Sequence, residues 1–211
     1  MAFSSRSGDT PPPAPETDGT RSKPRILARH EVARSRLFAI ESLELRFANG
    51  AERTFERLTG SGNGHGGGAV MIVAMPDPDH VLLIHEYAAG FDDYALTLPK
   101  GLVDPGEDVV SAANRELMEE CGVGARHIEP LVELSLAPNY MSHRMHVMLA
   151  TDLYEKRLPG DEPEPLIVER YPLEDINGLL AREDFHEGRA IAALFIARDR
   201  MRSERVDDAW W

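Results

Sequence analysis

The stretch that most constrains this chain is residues 101–123, GLVDPGEDVVSAANRELMEECGV. Its centre, Arg115-Glu116-Leu117-Met118-Glu119-Glu120, crowds three acids and an arginine into six residues. On an α-helix successive residues turn by ~100°, so Glu116, Glu119 and Glu120 fall within an arc of ~100°. Val110, Ala113, Leu117 and Cys121 recur at three- and four-residue steps and form the neighbouring apolar stripe. The segment can bury one side of a helix while aiming a wall of carboxylates elsewhere. Like charges at this spacing repel by roughly a few tenths of a kcal/mol per pair. A hard divalent cation such as Mg²⁺ reverses that penalty, because it takes oxygen ligands and binds carboxylates together with substrate phosphates. A solvated acidic face is the competing reading of any charge run.

The flanks weigh against a mere solvated face. Gly101 precedes Glu107 by six positions, Glu107 precedes Arg115 by eight, and Gly122-Val123 closes the run. The whole is G-x5-E-x7-R-E-U-x-E-E-x-G-U, U being apolar, with every fixed position filled. This stretch resembles the signature box of the Nudix hydrolases. Asp108, with Ser111 three residues on, is the expected N-cap of its helix, and Asp104 with Glu107 is the alternative. The resemblance favours Asp108, because family members start the helix just after the first glutamate of the box. Gly122 suits the helix C-terminus.

A chain of 211 residues with 42% hydrophobic content is long enough for one domain with a real core and a small appendage. The formal charge of −13 argues against nonspecific binding to nucleic acid or to an anionic membrane. An anionic substrate would then need local cations or metal. The single cysteine, Cys121, excludes an internal disulfide and suits a reducing cytoplasm. Its place on the apolar stripe makes it a core residue rather than a nucleophile. No apolar run approaches ~18 residues and no signal segment opens the chain, so a soluble cytoplasmic protein is expected.

Residues 1–23 are rich in Pro, Ser, Gly and Thr and are expected to form a disordered tail. Residues 24–58 read as a small antiparallel sheet. Ser42 to Phe47 alternates with period two, Asn49-Gly50 is a hairpin signal, and Arg53 to Arg57 returns. The tract GSGNGHGGG at 60–68 lacks the Lys-Ser/Thr ending of a phosphate loop and reads as a flexible connector. Residues 69–75 and 81–84, separated by Pro76-Asp77-Pro78-Asp79, read as a core hairpin. Strands are expected at 128–136, 145–150 and 166–171, helices at 173–182 and 189–202, and a fraying tail at 203–211 with two tryptophans. Between the strands lies an acidic, proline-rich loop, PGDEPEP, at 159–165.

The resemblance extends from residue 23 to residue 202. VARSRLF, AVMIV, GLVDPGE, AANREL, DLY and GDEPEPL together are similar to the ADP compounds hydrolases of the NudE type, in the ADP-ribose pyrophosphatase branch. It implies an α+β fold: a Nudix α/β/α sandwich with a mixed sheet at 69–202, preceded by the N-terminal sheet. It also implies hydrolysis of the pyrophosphate of ADP-linked compounds such as ADP-ribose, NADH or diadenosine polyphosphates, with Mg²⁺ or Mn²⁺ as cofactor. Glu116 and Glu120 would be metal ligands, Glu119 a further ligand or water-orienting group, and the Lys100 carbonyl another ligand. Glu107 and Arg115 would hold the acids in place. A glutamate of the acidic loop would position the attacking water, Glu164 before Glu162. Members of the branch are typically homodimers whose N-terminal sheet helps to form the partner's adenosine site, which makes Arg57 a candidate contact. Tyr140, His143 and Arg144 lie where branch members touch substrate; an idle, exposed His143 is equally compatible. His85, with Glu86 and Tyr87 at a strand end, reads as structural. The competing functions are a Nudix hydrolase of another nucleoside diphosphate or a capped RNA end, and a non-catalytic Nudix sensor. Sensors commonly lose a box acid, and all are present here.

Overall fold

The computed structural model describes residues 22–60 and 68–208. Most of the expected tail at 1–23, the glycine tract between Gly60 and Gly68, and both tryptophans lie outside the described residues.

The N-terminal sheet has three antiparallel strands, β1 (Arg25–Arg34), β2 (Phe38–Arg46) and β3 (Glu52–Gly60), in that spatial order. The turn between β2 and β3 forms at Asn49-Gly50, where Gly50 takes φ 81° and the Asn49 side chain accepts from the Ala51 amide at 3.0 Å. Left-handed φ is cheap only without a Cβ, so the glycine sets the register. At its far end β3 joins the rest of the molecule. The Leu58 amide donates to the Tyr140 carbonyl at 2.7 Å, and the Ser142 amide to the Leu58 carbonyl at 3.4 Å.

Two further sheets make the main body. One has the order β7-β4-β9-β8, from β4 (Ala69–Ala74), β7 (Lys100–Leu102), β8 (Val123–Ser135) and β9 (Arg144–Glu155). In it β4 runs parallel to β9 and antiparallel to β7, so the sheet is mixed. The other has the order β10-β5-β6, from β5 (His80–Ala88), β6 (Asp93–Thr97) and β10 (Ile167–Pro172). The expected core hairpin of 69–75 with 81–84 is therefore corrected: its two arms belong to different sheets. Both strands are apolar on both faces, and periodicity identifies such a strand without naming its neighbour.

Alternate residues of β4, β5 and β9 feed two cores. Met71, Val73, Leu83 and Val147 face Ile176 and Leu179 of α2 (Ile176–Leu180) and Leu194 of α3 (Gly188–Asp208). Val70, Ile72, Ile84 and Met148 face Ala112 and Ala113 of α1 (Val109–Glu116) and Leu117 beyond it. The sheets thus form a middle layer between helices, the α/β/α arrangement expected of the fold. Four local features differ from the sequence reading. Val110 is exposed, and Val109 and Ala112 join the buried stripe instead. The helix of the box changes from α to a π turn at Leu117–Cys121. The helix expected at 173–182 shrinks to α2, five residues long. The last helix continues to Asp208, past residue 202. No helix among the described residues is long and apolar enough to cross a membrane.

Candidate active site

The site is assembled on the β7–α1 turn and the π turn. Asp108 caps α1, accepting from the amides of Val110 and Ser111 at 3.0 Å each and from the Ser111 hydroxyl at 2.6 Å. The Asn114 side chain accepts from the Ala125 amide at 2.8 Å and ties the helix to β8. The π turn ends at Gly122, at φ 71°, whose amide donates to the Leu117 carbonyl. Such i→i+5 turns recur at functional sites because they re-aim side chains within a helix.

Arg115 is the bracket of the acid cluster. Its Nε donates to Glu107 Oε1 at 3.1 Å, and Nη2 to Glu107 Oε2 at 3.0 Å and to the Leu102 carbonyl at 2.8 Å. Its Nη1 donates to Glu116 Oε1 at 2.8 Å and to Glu119 Oε2 at 3.0 Å. Glu107 is held below the ordinary carboxylate range by the Arg115 hydrogen bonds. Glu120 accepts from the Lys100 amide at 2.9 Å, so the backbone of β7 reaches the acids directly. Glu116 and Glu120 are buried, with 9% and 7% exposure. Burial, partly offset by Arg115, pushes the Glu116 carboxyl up to about 7. Burial pushes Glu120 up to about 8, against the Lys100 amide that draws it down. The cause in both is desolvation, which disfavours the charged form unless a positive charge is held beside it.

The acids open into a cleft of about 760 Å³. Glu116, Glu119 and Glu120 line one wall, with Arg115 and the backbone at Lys100 and Gly101. The acidic loop crosses the mouth. Its first half is pinned to the π turn, the Leu158 amide donating to the Met118 carbonyl at 3.0 Å and the Lys156 amide to the Gly122 carbonyl at 3.1 Å. Asp161 and Glu162 then line the cleft. Burial, followed by the nearby charges of Glu86 and Asp161, pushes the Glu162 carboxyl up. Glu164 does not line this cleft; its carboxylate accepts a hydrogen bond from the Tyr94 hydroxyl. Both glutamates proposed from sequence border a smaller cavity of about 300 Å³ that also reaches Glu116, Glu119 and Glu120, and of the two Glu162 alone lines the main cleft.

The substrate-contact candidates divide between two places. His143 lines the main cleft and also a neighbouring one of about 590 Å³, where Arg57, Arg144 and Phe55 meet at the junction with the N-terminal sheet. Burial, with a smaller effect from Arg189, holds the His143 imidazole below its usual range and hence neutral. Arg57 is already paired with Glu41, through Nε at 2.9 Å and Nη2 at 2.7 Å. Arg144 donates to Glu133. Tyr140 lines neither cleft; it is 68% exposed, its carbonyl accepts from the Leu58 amide and its own amide donates to the Ala137 carbonyl. Cys121 is buried, and burial raises its thiol to about 12, which suits a core residue. His85 is partnered by Glu169 at 3.2 Å, away from the cleft.

Three cleft residues escaped the sequence reading. Glu86 lines the cleft paired with the Lys100 ammonium, and Asp161 and Arg189 line it too. The alternation along β5 separates Glu86 from its neighbours His85 and Tyr87 by face, a signal that could have found it. Arg189 enters from α3, 88 positions beyond Gly101, and no local pattern marks it.

The donor set fits a hard divalent cation. It offers carboxylate oxygens on Glu116, Glu119 and Glu120 beside a backbone edge, and two of the three are buried. Arg115 Nη1 bridges Glu116 and Glu119, and among the described residues no three acidic, imidazole or thiol groups close on one point.

Two family models match the chain: the NudE-type Nudix hydrolase N-terminal domain over residues 24–57, and the NUDIX domain over 66–194. The chain is 48% identical over 182 residues to the ADP compounds hydrolase NudE of Escherichia coli, covering 86% of this chain and 95% of that one. It is 33% identical over 130 residues to an ADP-ribose pyrophosphatase of Mycobacterium tuberculosis, covering 60% and 63%. A crystal structure of an ADP compounds hydrolase superposes with a TM-score of 0.80 at 48% identity, over 88% of this chain and 97% of that chain. With the complete acid box at the cleft and both models matched in order, the chain belongs to the Nudix hydrolases, in their NudE-type group.

Proposed function

We propose that this enzyme hydrolyses the pyrophosphate of ADP-linked small molecules, with Mg²⁺ or Mn²⁺, to AMP and the other phosphorylated half. The observation that carries the reading is the pair of buried carboxylates, Glu116 and Glu120, opening onto a cleft crossed by the acidic loop. The likeness to the ADP compounds hydrolase of E. coli supports the adenine-linked class, with ADP-ribose, NADH and diadenosine polyphosphates as candidates. Glu116, Glu120, Glu119 and the Lys100 carbonyl would hold the cation. When bound, it supplies neutralisation of the charge that builds on the pyrophosphate oxygens. Arg115 and Glu107 keep the carboxylates in place, since a small misplacement of catalytic groups costs much rate.

Water oxygen attacks one phosphorus, the bridging P–O bond breaks, and the water proton passes to a carboxylate. Glu162 is the group we assign to that proton. It lines the cleft, and its raised pKa brings it nearer the working pH, where a general base is most effective. Arg57, His143 and Arg144 border the neighbouring cleft, which we assign to the adenosine, completed by the N-terminal sheet of a partner in a homodimer. The reduced, buried Cys121 supports a cytoplasmic setting.

The test is a panel of ADP-linked compounds with Mg²⁺, with products identified by mass spectrometry in ¹⁸O-labelled water. AMP plus a phosphorylated partner is expected, the label identifying the phosphorus attacked. Excess chelator should abolish turnover and Mg²⁺ or Mn²⁺ should restore it. Turnover of non-adenine dinucleotides alone, or activity indifferent to chelator, would sink the reading.

A further inference from the structure

The cleft sets an electrostatic problem. Glu86, Glu116, Glu119, Glu120, Asp161 and Glu162 all line it, in a chain of formal charge −13, yet the proposed substrate carries a diphosphate. A cation held by the carboxylates would neutralise part of that charge. The rest needs a cation from the protein.

Three cations line the cleft, and each has a carboxylate partner. Arg115 spreads its hydrogen bonds over Glu107, Glu116, Glu119 and the Leu102 carbonyl. The Lys100 ammonium is paired with Glu86. Arg189 differs. Its Nε and Nη2 both address one oxygen, Glu187 Oε1, at 2.7 and 2.5 Å. The other Glu187 oxygen, Oε2, accepts from the hydroxyl of Thr97 at 2.7 Å, and Thr97 is itself buried at 3% exposure. Thr97 at the end of β6 thus anchors Glu187, and Glu187 orients the guanidinium from one edge. Arg189 lines the cleft together with His143, and with Nε and Nη2 held by Glu187 the Nη1 donor is the one an anion in the cleft could take. A planar guanidinium held along one edge is pre-organised to offer its other donors to an anion, and little side-chain entropy remains to be lost.

We propose that Arg189, positioned by the Thr97–Glu187 relay, binds the phosphate oxygens of the substrate that the metal does not hold. The inference rests on the pyrophosphatase reading of the same cleft. It makes Arg189 a binding residue, and Glu187 and Thr97 positioning residues.

The experiment compares wild type, Arg189→Gln and Arg189→Lys, using the best substrate of the panel and inhibition by ADP. A lost charge-assisted contact to phosphate should lower kcat/KM of Arg189→Gln by about ten-fold or more. ADP inhibition should weaken by a similar factor, while the melting temperature stays near wild type. Arg189→Lys keeps the charge without the fork and should fall between the two. Unchanged kcat/KM and unchanged ADP inhibition in Arg189→Gln would overturn the proposal. So would lost activity with unaltered ADP inhibition, because Arg189 would then act on something other than phosphate. Should Arg189→Gln fail to fold, Arg189→Lys decides by itself: ADP inhibition indistinguishable from wild type overturns the proposal, and a several-fold weakening upholds it. If wild type turns over no ADP-linked compound, the pyrophosphatase reading fails separately, before any Arg189 variant is compared.

Discussion

Gly101 illustrates how tightly single residues define the site. A Cβ placed there would lie 2.0 Å from the Glu116 carboxyl carbon, well inside contact distance. The glycine of the box is required for space, so that β7 can pass directly over a buried carboxylate. Glu107 acts through charge instead. Its carboxylate is a two-pronged partner of Arg115 and is held below the ordinary range. An acid whose folded pKa lies below its unfolded value adds stability above the unfolded value, about 4.3 for glutamate, and loses it as pH falls through the folded one. Glu107→Gln should therefore destabilise the protein at pH 7, by about 1–3 kcal/mol for weakened bonds to a charged group. The gap from wild type should narrow as the pH falls below the unfolded value and close once it passes the lowered folded one, where Glu107 is protonated and resembles the glutamine. Thermal melts of both proteins across that range check it. A gap that persists unchanged into acid would show that Glu107 contributes by shape rather than charge.

At the scale of elements, the acidic loop depends on two anchors. Backbone bonds to Met118 and Gly122 fix its start, and the Tyr94 hydroxyl holds Glu164 near its end. Tyr94 is itself braced edge-on by Tyr87, with ring centroids 5.7 Å apart. Pro159, Pro163 and Pro165 stiffen the span between, where Glu162 sits. Glu162→Gln should lower kcat by ~10²-fold or more, as expected for loss of a general base, with little change in KM. Tyr94→Phe and Glu164→Gln should each cost less, and the double variant should be no worse than the more impaired single, because both remove one bond. Steady-state kinetics of the four proteins decide it; an inert Glu162→Gln beside an inactive Glu164→Gln would return the role to Glu164. The loop itself was legible in sequence as PGDEPEP, and the box as its spaced glycines and acids. The motif does not choose between Glu162 and Glu164: both border the acids, and what separates them is a tyrosine 70 positions away that holds Glu164. The π turn was equally hidden. It depends on how Leu117 and Cys121 pack below and on the Gly122 stop, whereas the spacing of acids fits an α-helix as well. The pairing of 69–75 with 81–84 failed for a related reason: a strand buried on both faces carries no mark of which sheet it joins.

At the scale of the whole molecule, the N-terminal sheet is poorly covered by its own chain. Ile26, Val32, Leu37, Phe38 and Phe55 are all exposed, and the contact with the main body runs through the end of β3 and the cleft beside Arg57. By register Ile26 and Phe55 lie opposite Leu45 and Leu43 on one face and Phe38 lies on the other, and exposed apolar side chains on a small sheet suit an association surface. A homodimer formed through this sheet would also bring a second chain to the edge of the cleft beside Arg57. Removing residues 1–23, which precede β1, should leave assembly and turnover unchanged. Removing residues 1–58 should abolish both, and a subtler change separates assembly from loss of fold. Val32 is 56% exposed on β1 and lines neither cleft, so Val32→Glu costs the isolated chain little while placing a charge among the exposed apolar side chains of the sheet. If the site is shared, Val32→Glu should shift the protein toward monomer in light scattering, and kcat/KM should fall with the dimer fraction and recover at high protein concentration. A fully active monomer would separate the two functions, leaving the sheet a wall of its own chain's cleft and the active site complete within one subunit.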